Sequence, residues 1–244
     1  RQYLTRAECH HAASTSSMEV LQKVKAKYVY GVSATPKRGD SMEKILYMLL
    51  GPLRHKFTAL ERAAEQGIGH FFVPRYTRVV DNSESKDDIN KAYALITSSE
   101  VRNNMIVEDV KSCVKEGKTP VILTRMKEHA KTLADNLKGS ADHVFILYGD
   151  NSDKENLEIR TKLKQVPKNE TLILVATGQK IGEGFDFPRL DTLMLAAPVS
   201  FEGRLEQYIG RLNRDFEGKE AVYVYDYVDS HVRYFDRMYG KRLR

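Results

Sequence analysis

The stretch Leu172-Ile173-Leu174-Val175-Ala176-Thr177-Gly178-Gln179-Lys180-Ile181-Gly182-Glu183-Gly184-Phe185-Asp186 decides the fold. Its first part is an unbroken apolar run, the pattern of a strand buried on both faces. Its second part is a loop in which Gly178, Gly182 and Gly184 let backbone approach a ligand closely. Open α/β sheets bind ligands at the carboxyl ends of their strands, where such a loop lies. Working outward, strand patterns run over 119–124, 143–148, 192–197 and 220–228. Helical patterns lie between them, over about 126–138, 153–165, 203–212 and 229–239. This alternation predicts parallel strands joined by crossover helices, an α/β fold.

The helix over 203–212 leads into Gln207-Tyr208-Ile209-Gly210-Arg211-Leu212-Asn213-Arg214. Gln207, Arg211 and Arg214 are spaced i, i+4, i+7 and are expected to share one face. Two guanidinium forks on one face suit a phosphate chain, because each donates bidentate, charge-assisted bonds. A solvated basic face explains the same spacing, and the glycine-rich loop is what shifts the balance towards a ligand site. Tyr223, Tyr225, Tyr227, Tyr234, Phe235 and Tyr239 could form a base-stacking platform. Alternation over 221–228 is more simply a half-buried strand.

Towards the amino end the patterns are shorter. Ser16 or Ser17 is expected to cap a helix to about Lys25, and Lys27 to Ser33 is β-rich. Asp40 with Glu43 opens a helix that Gly51-Pro52 stops, and Thr58 with Glu61 repeats the capping box before Gly67. His70 to Val80 is extended. The polar run 81–88 reads as a linker, giving domains at 1–80 and 81–244. Two helices then follow, the second capped by Thr97 with Glu100.

The chain has 244 residues, 41% of them apolar and 30% charged, which excludes a disordered polymer. No apolar run is long enough to span a bilayer. Only Cys9 and Cys113 are present, too few for a disulfide framework, so a cytoplasmic location is expected. Residues 1–80 hold 13 basic and 6 acidic side chains, whereas 81–244 hold 26 and 27. A basic piece joined to a neutral one permits a polyanionic partner without requiring one. Glu8, Cys9, His10 and His11 match no tetrahedral metal spacing, so no metal site is assigned to them. Gly117-Lys118-Thr119 is not a phosphate-binding loop: position 112 is Ser112, and the order is helix, loop, strand.

In combination the segments resemble superfamily 2 DExH-box helicases and translocases. Ala176 to Asp186 looks like their motif V and Gln207 to Arg214 like motif VI. Val32-Ser33-Ala34-Thr35-Pro36 resembles motif III, and Ala7-Glu8-Cys9-His10-His11 motif II with its first residue changed. Val121 to Arg125 stands in the place of motif IV. The flanking Leu190 to Leu193 is most similar to restriction-type or conflict-system helicases of prokaryotes.

The resemblance implies two RecA-like lobes, the first incomplete, and a parent that couples ATP and magnesium to movement on nucleic acid. It favours DNA over RNA, leaves room for a fused or associated nuclease or modification subunit, and implies no membrane partner. Glu8 would activate the attacking water, Gln207 sense the γ-phosphate, and Arg211 and Arg214 reach the triphosphate as arginine fingers. Gly182, Gly184 and Asp186 would lie near the nucleotide. His10, Ser33 and Thr35 would couple nucleotide state to the nucleic-acid track, and Thr177 would contact a nucleic-acid phosphate. The 244 residues depart from the family pattern in two ways. They contain no P-loop, and Ala7 stands where a magnesium-organising aspartate belongs. The expectation is therefore the back half of a helicase, unable alone to hydrolyse ATP. The rival is a nucleic-acid-binding or interaction module without ATPase activity.

Overall fold

The computed structural model describes residues 3–7, 9–33, 43–56, 61, 67–82, 88–149, 151–177, 187–198, 202–214 and 216–242. The chain divides into two compact units, Arg1–Arg62 and Ala63–Arg244.

In the first unit β1 (Tyr3–Ala7) pairs in parallel with β2 (Tyr28–Val32). The sequence before Ala7 lacks an apolar run, yet it forms a strand. The pairing aligns Tyr3 with Tyr28, and their rings stack 5.2 Å apart. A 3-10 turn (Cys9–Ala13) leads into α1 (Thr15–Lys23). Ser14, not Ser16 or Ser17, is its N-cap, and its side chain makes no capping bond. Helix α2 (Glu43–Leu50) lays Leu46 on Cys9 and Ala12. At Gly31 a Cβ would come within 2.7 Å of Leu50 Cδ1 and 2.9 Å of Cys9 Sγ, so any side chain there would displace these neighbours. The expected caps at Asp40 and Thr58 lie outside the described residues.

The second unit runs β3 (Gly69–Tyr76), α3 (Ile89–Ser98), α4 (Glu100–Lys115), β4 (Pro120–Thr124), α5 (Lys127–Asn136) and β5 (His143–Leu147). It continues with α6 (Asp153–Gln165), β6 (Leu172–Thr177), β7 (Thr192–Leu195), α7 (Glu202–Leu212), β8 (Ala221–Val228) and α8 (Arg233–Arg242). The six strands form one parallel sheet in the order β3-β8-β7-β4-β6-β5. Successive residues point to opposite faces. Val121, Leu123, Leu174 and Leu193 meet Leu163 of α6 and Tyr208 and Leu212 of α7. Ile122, Ile173, Val175 and Met194 meet Ile106 and Val110 of α4 and Leu133 of α5.

Strand β3 corrects the expected boundary at 80/81. It pairs with β8 from Gly69↔Ala221 to Tyr76↔Val228, so it belongs to the second unit. The division between the two units falls at 62/63, ahead of β3, and not in the polar run 81–88. Pro74, which lacks an N–H, is tolerated because β3 is an edge strand. Two further expectations shift. Ser99 caps α4 by accepting from Arg102 N, whereas Thr97 lies inside α3 and donates to Tyr93 O at 2.8 Å. Helix α8 starts at Arg233 rather than 229, because Asp229 is drawn into a buried ion pair with Arg102. Tyr227 and Phe235 are buried, so neither can serve as a base-stacking surface. No helix among the described residues is long and apolar enough to cross a membrane.

A buried polar relay ties the end of β4 to three helices. Asn103 Nδ2 donates to Thr97 O at 2.8 Å, so its Oδ1 faces His129 Nε2 at 2.9 Å. Nε2 must then carry the proton, and Nδ1 accepts from the Thr124 hydroxyl at 2.6 Å. Burial, reinforced by the Arg102 cation, pushes the His129 pKa down to about 3. A base whose folded pKa lies below its unfolded value stabilises the fold above the unfolded pKa and loses that contribution as pH falls. Stability should therefore drop below about pH 6.5, by about 1.4 kcal/mol per pH unit. Urea unfolding at pH 7, 6 and 5 reads this slope. His129→Gln should flatten it, and an unchanged slope in that variant would contradict the assignment.

Candidate functional site

The site is built on two returns of the chain that flank the central strands. Strand β6 is buried along its whole length and ends at Thr177. Thr177 Oγ1 accepts from Gly149 N at 2.6 Å, which joins the ends of β5 and β6. A hydroxyl that accepts an amide N–H can still donate one bond outward. Gly182, Gly184 and Asp186 lie outside the described residues. The chain re-enters the core at Phe187 and Leu190, both buried beside Leu172 and Leu174.

Helix α7 presents Leu205, Tyr208, Ile209 and Leu212 to the sheet, the spacing of an apolar stripe. Arg211 then falls at the stripe's margin and is half-buried. The helix stops at Leu212, so Arg214 lies beyond it and does not continue the face expected from i, i+4, i+7 spacing. The last helical bond runs from Asn213 N to Ile209 O, at 2.9 Å. Arg214 is nonetheless held half-buried one residue after Asn213, which is 1% exposed. The Gln207 side chain lies outside the described residues.

Two neighbours carried no signal in the sequence. Asn213 Oδ1 accepts from His70 Nε2 at 2.8 Å, which ties the residue between the arginines to β3. Lys219, in the turn before β8, directs its ammonium at the carbonyl oxygens of Leu212 and Arg214. A partner distant in the chain leaves no periodicity to read. The arrangement braces the backbone on which two half-buried arginines stand, at and just beyond the end of a packed helix. Cations placed in advance in this way suit a phosphate chain.

A second cluster lies where β4 ends. Arg125 sits over the Tyr93 ring at 4.6 Å, and Lys127 over Tyr148 at 5.9 Å. Tyr93 is fixed by donating its hydroxyl to Pro198 O at 2.7 Å. Parallel pairing sets Thr124 beside Thr177, so these cations and Thr177 belong to the same edge of the sheet.

In the first unit the register aligns Ala7 with Val32, so β1 and β2 end side by side, with Ser33 half-buried after β2. Glu8, Thr35 and the His10 side chain lie outside the described residues.

The fold of the second unit is that of a RecA-like helicase C-terminal lobe. The structure resembles T4 UvsW with a TM-score of 0.52 and 20% identity, over 93% of this chain and 45% of that one. It resembles S. cerevisiae Dbp5 bound to RNA and ADP BeF3 with a TM-score of 0.57 and 12% identity, over 98% of this chain and 57% of that one. Residues 102–215 match the helicase conserved C-terminal domain, a segment that runs from α4 to just past Arg214. Over 97% of its length the chain is 27% identical to protein 161L of Invertebrate iridescent virus 6, which is named as a helicase. It spans 53% of that relative's length.

Proposed function

We propose that the chain is part of an ATP-driven helicase or translocase, in which the second unit supplies the arginine pair that meets the nucleotide. The observation that carries this reading is the pair itself: Arg211 and Arg214 are half-buried at the end of α7, inside the segment that matches the helicase domain. ATP with magnesium would supply the phosphoryl group and the metal charge. Arg211 and Arg214 would hold developing negative charge on the phosphate oxygens. Arg125, Lys127 and Thr177, at the ends of β4 and β6, would track the nucleic-acid backbone. DNA is the proposed substrate on the motif likeness alone, since Dbp5 was solved with RNA.

The 244-residue chain by itself is proposed to bind nucleic acid without turning over ATP. It carries no P-loop and has Ala7 at the position of a magnesium-organising carboxylate. Phosphate release from the purified chain should stay at background with or without nucleic acid. Release that nucleic acid stimulates and Glu8→Gln abolishes would overturn this part.

Binding should be weak, indifferent to sequence and steeply salt-dependent, because contacts to phosphate dominate. Fluorescence anisotropy with single-stranded DNA and RNA of matched sequence at several salt concentrations tests it. Arg125→Ala should lower the salt slope by about one. Tight binding that survives high salt would contradict the reading, and preference for RNA would replace DNA as the substrate.

A further inference from the structure

Lys219 is more than the cap of α7. Its ammonium faces four carbonyl oxygens, Pro188 O, Leu190 O at 2.7 Å, Leu212 O at 2.8 Å and Arg214 O at 3.1 Å, which share its three N–H groups. These carbonyls come from two separate segments. Leu212 and Arg214 belong to the arginine end of α7, where the last carbonyls lack helical partners and carry the negative end of the dipole. Pro188 and Leu190 belong to the stretch through which the chain returns from the glycine-rich loop. The lysine is delivered by a built turn: Lys219 N donates to Phe216 O at 3.0 Å, and Gly218 has φ +83. A side chain at Gly218 would be strained in that conformation.

We propose that Lys219 is a positioning residue that fixes the arginine pair against the exit of the glycine-rich loop, so that both sides of the nucleotide site move as one piece. The inference rests on the reading of Arg211 and Arg214 given above. A cap serving α7 alone would need only Leu212 and Arg214; the bonds to Pro188 and Leu190 add nothing to the helix. A lysine suits the task because a compact ammonium can face several converging carbonyls, whereas arginine projects its donors in a flat fork.

The test uses the full-length protein with K219M, K219R, R211A and the R211A/K219M double variant, assayed well below their melting temperatures. In K219M, kcat for nucleic-acid-stimulated ATP hydrolysis should fall roughly ten- to hundredfold, the scale of a misplaced catalytic group. KM for ATP and nucleic-acid affinity should stay within about twofold, since only the transition state reads the misplacement. K219R keeps the cation and guards against simple loss of the fold; it should not restore kcat. In the R211A background, K219M should add less than about a twofold loss, because the positioned group is already gone. Hydrogen exchange should quicken together in residues 187–191 and 211–214 of K219M. Wild-type turnover in R211A would sink the arginine reading itself. A K219M loss that multiplies in the R211A background, full rescue by K219R, or exchange unchanged in either segment would overturn the lysine proposal.

Discussion

Replacing Arg211 or Arg214 by alanine in the full-length protein is expected to lower nucleic-acid-stimulated ATP turnover by roughly three to five orders of magnitude. Nucleic-acid affinity should barely change. The asymmetry has a physical cause. Arg211 sits on the last turn of a packed helix and Arg214 two residues beyond it, both half-buried, so placing them would cost little reorganisation when charge gathers on the transferring oxygens. Contacts made mainly in the transition state reduce kcat when lost, whereas contacts made equally to bound ATP raise KM. Arg→Lys should not rescue at either position, because a point ammonium lacks the planar fork. If the arginines form only a solvated basic face, both alanine variants should keep near-wild-type turnover and lose a few tenths of a kcal/mol in stability. Single-turnover phosphate release separates these outcomes, and turnover within about twofold of wild type in both would remove the arginine pair from the nucleotide site.

The strands that carry the site were legible because burial on both faces leaves an unbroken apolar run. β4, β6 and β7 are buried at every position, and the expected ranges match them to within two residues. Pairing was not legible. Strand β3 reads as an isolated extended stretch, and nothing in Gly69 to Tyr76 names β8 as its partner. The polar run after it therefore looked like a division between domains. Helix ends were misjudged by up to four residues for a similar reason. Thr97 and Ser99 both suit a cap, and only the backbone geometry selects Ser99. The i, i+4, i+7 spacing of Gln207, Arg211 and Arg214 assumed a helix through residue 214. Asn213 instead turns to His70, and the last carbonyls turn to Lys219. The groups that brace the site, His70, Lys219, His129 and Asn103, are single polar residues with partners distant in the chain. Periodicity carries no information about such pairs.

The other large expected effect concerns the opposite edge of the same framework. Asp229→Ala should cost about 3–5 kcal/mol of unfolding free energy, the range found when one partner of a buried ion pair is removed. Arg102 Nε and Nη2 donate to the two Asp229 oxygens at 2.9 and 3.1 Å, and both side chains are 0% exposed. Thr77 Oγ1 donates to the same carboxylate at 2.5 Å, and Arg102 Nη1 donates to Ala196 O at 2.8 Å. Every charge is therefore satisfied, and none can reach water if its partner is lost. The four residues come from α4 and from the chain just after β3, β7 and β8, so the pair ties three strand ends to one helix. Removing the carboxylate leaves a guanidinium buried with only a carbonyl to face, and the strain falls on the edge strand β3 and its neighbours. Asp229→Asn keeps the shape and one acceptor and should cost less than alanine. The double variant Arg102→Met with Asp229→Leu should recover much of the loss, because a buried pair exchanged for apolar side chains of similar volume is often nearly neutral. Urea unfolding at pH 7 measures all of these, and a loss below about 1 kcal/mol in Asp229→Ala would mean that the pair is reached by water and does not hold the strand ends together.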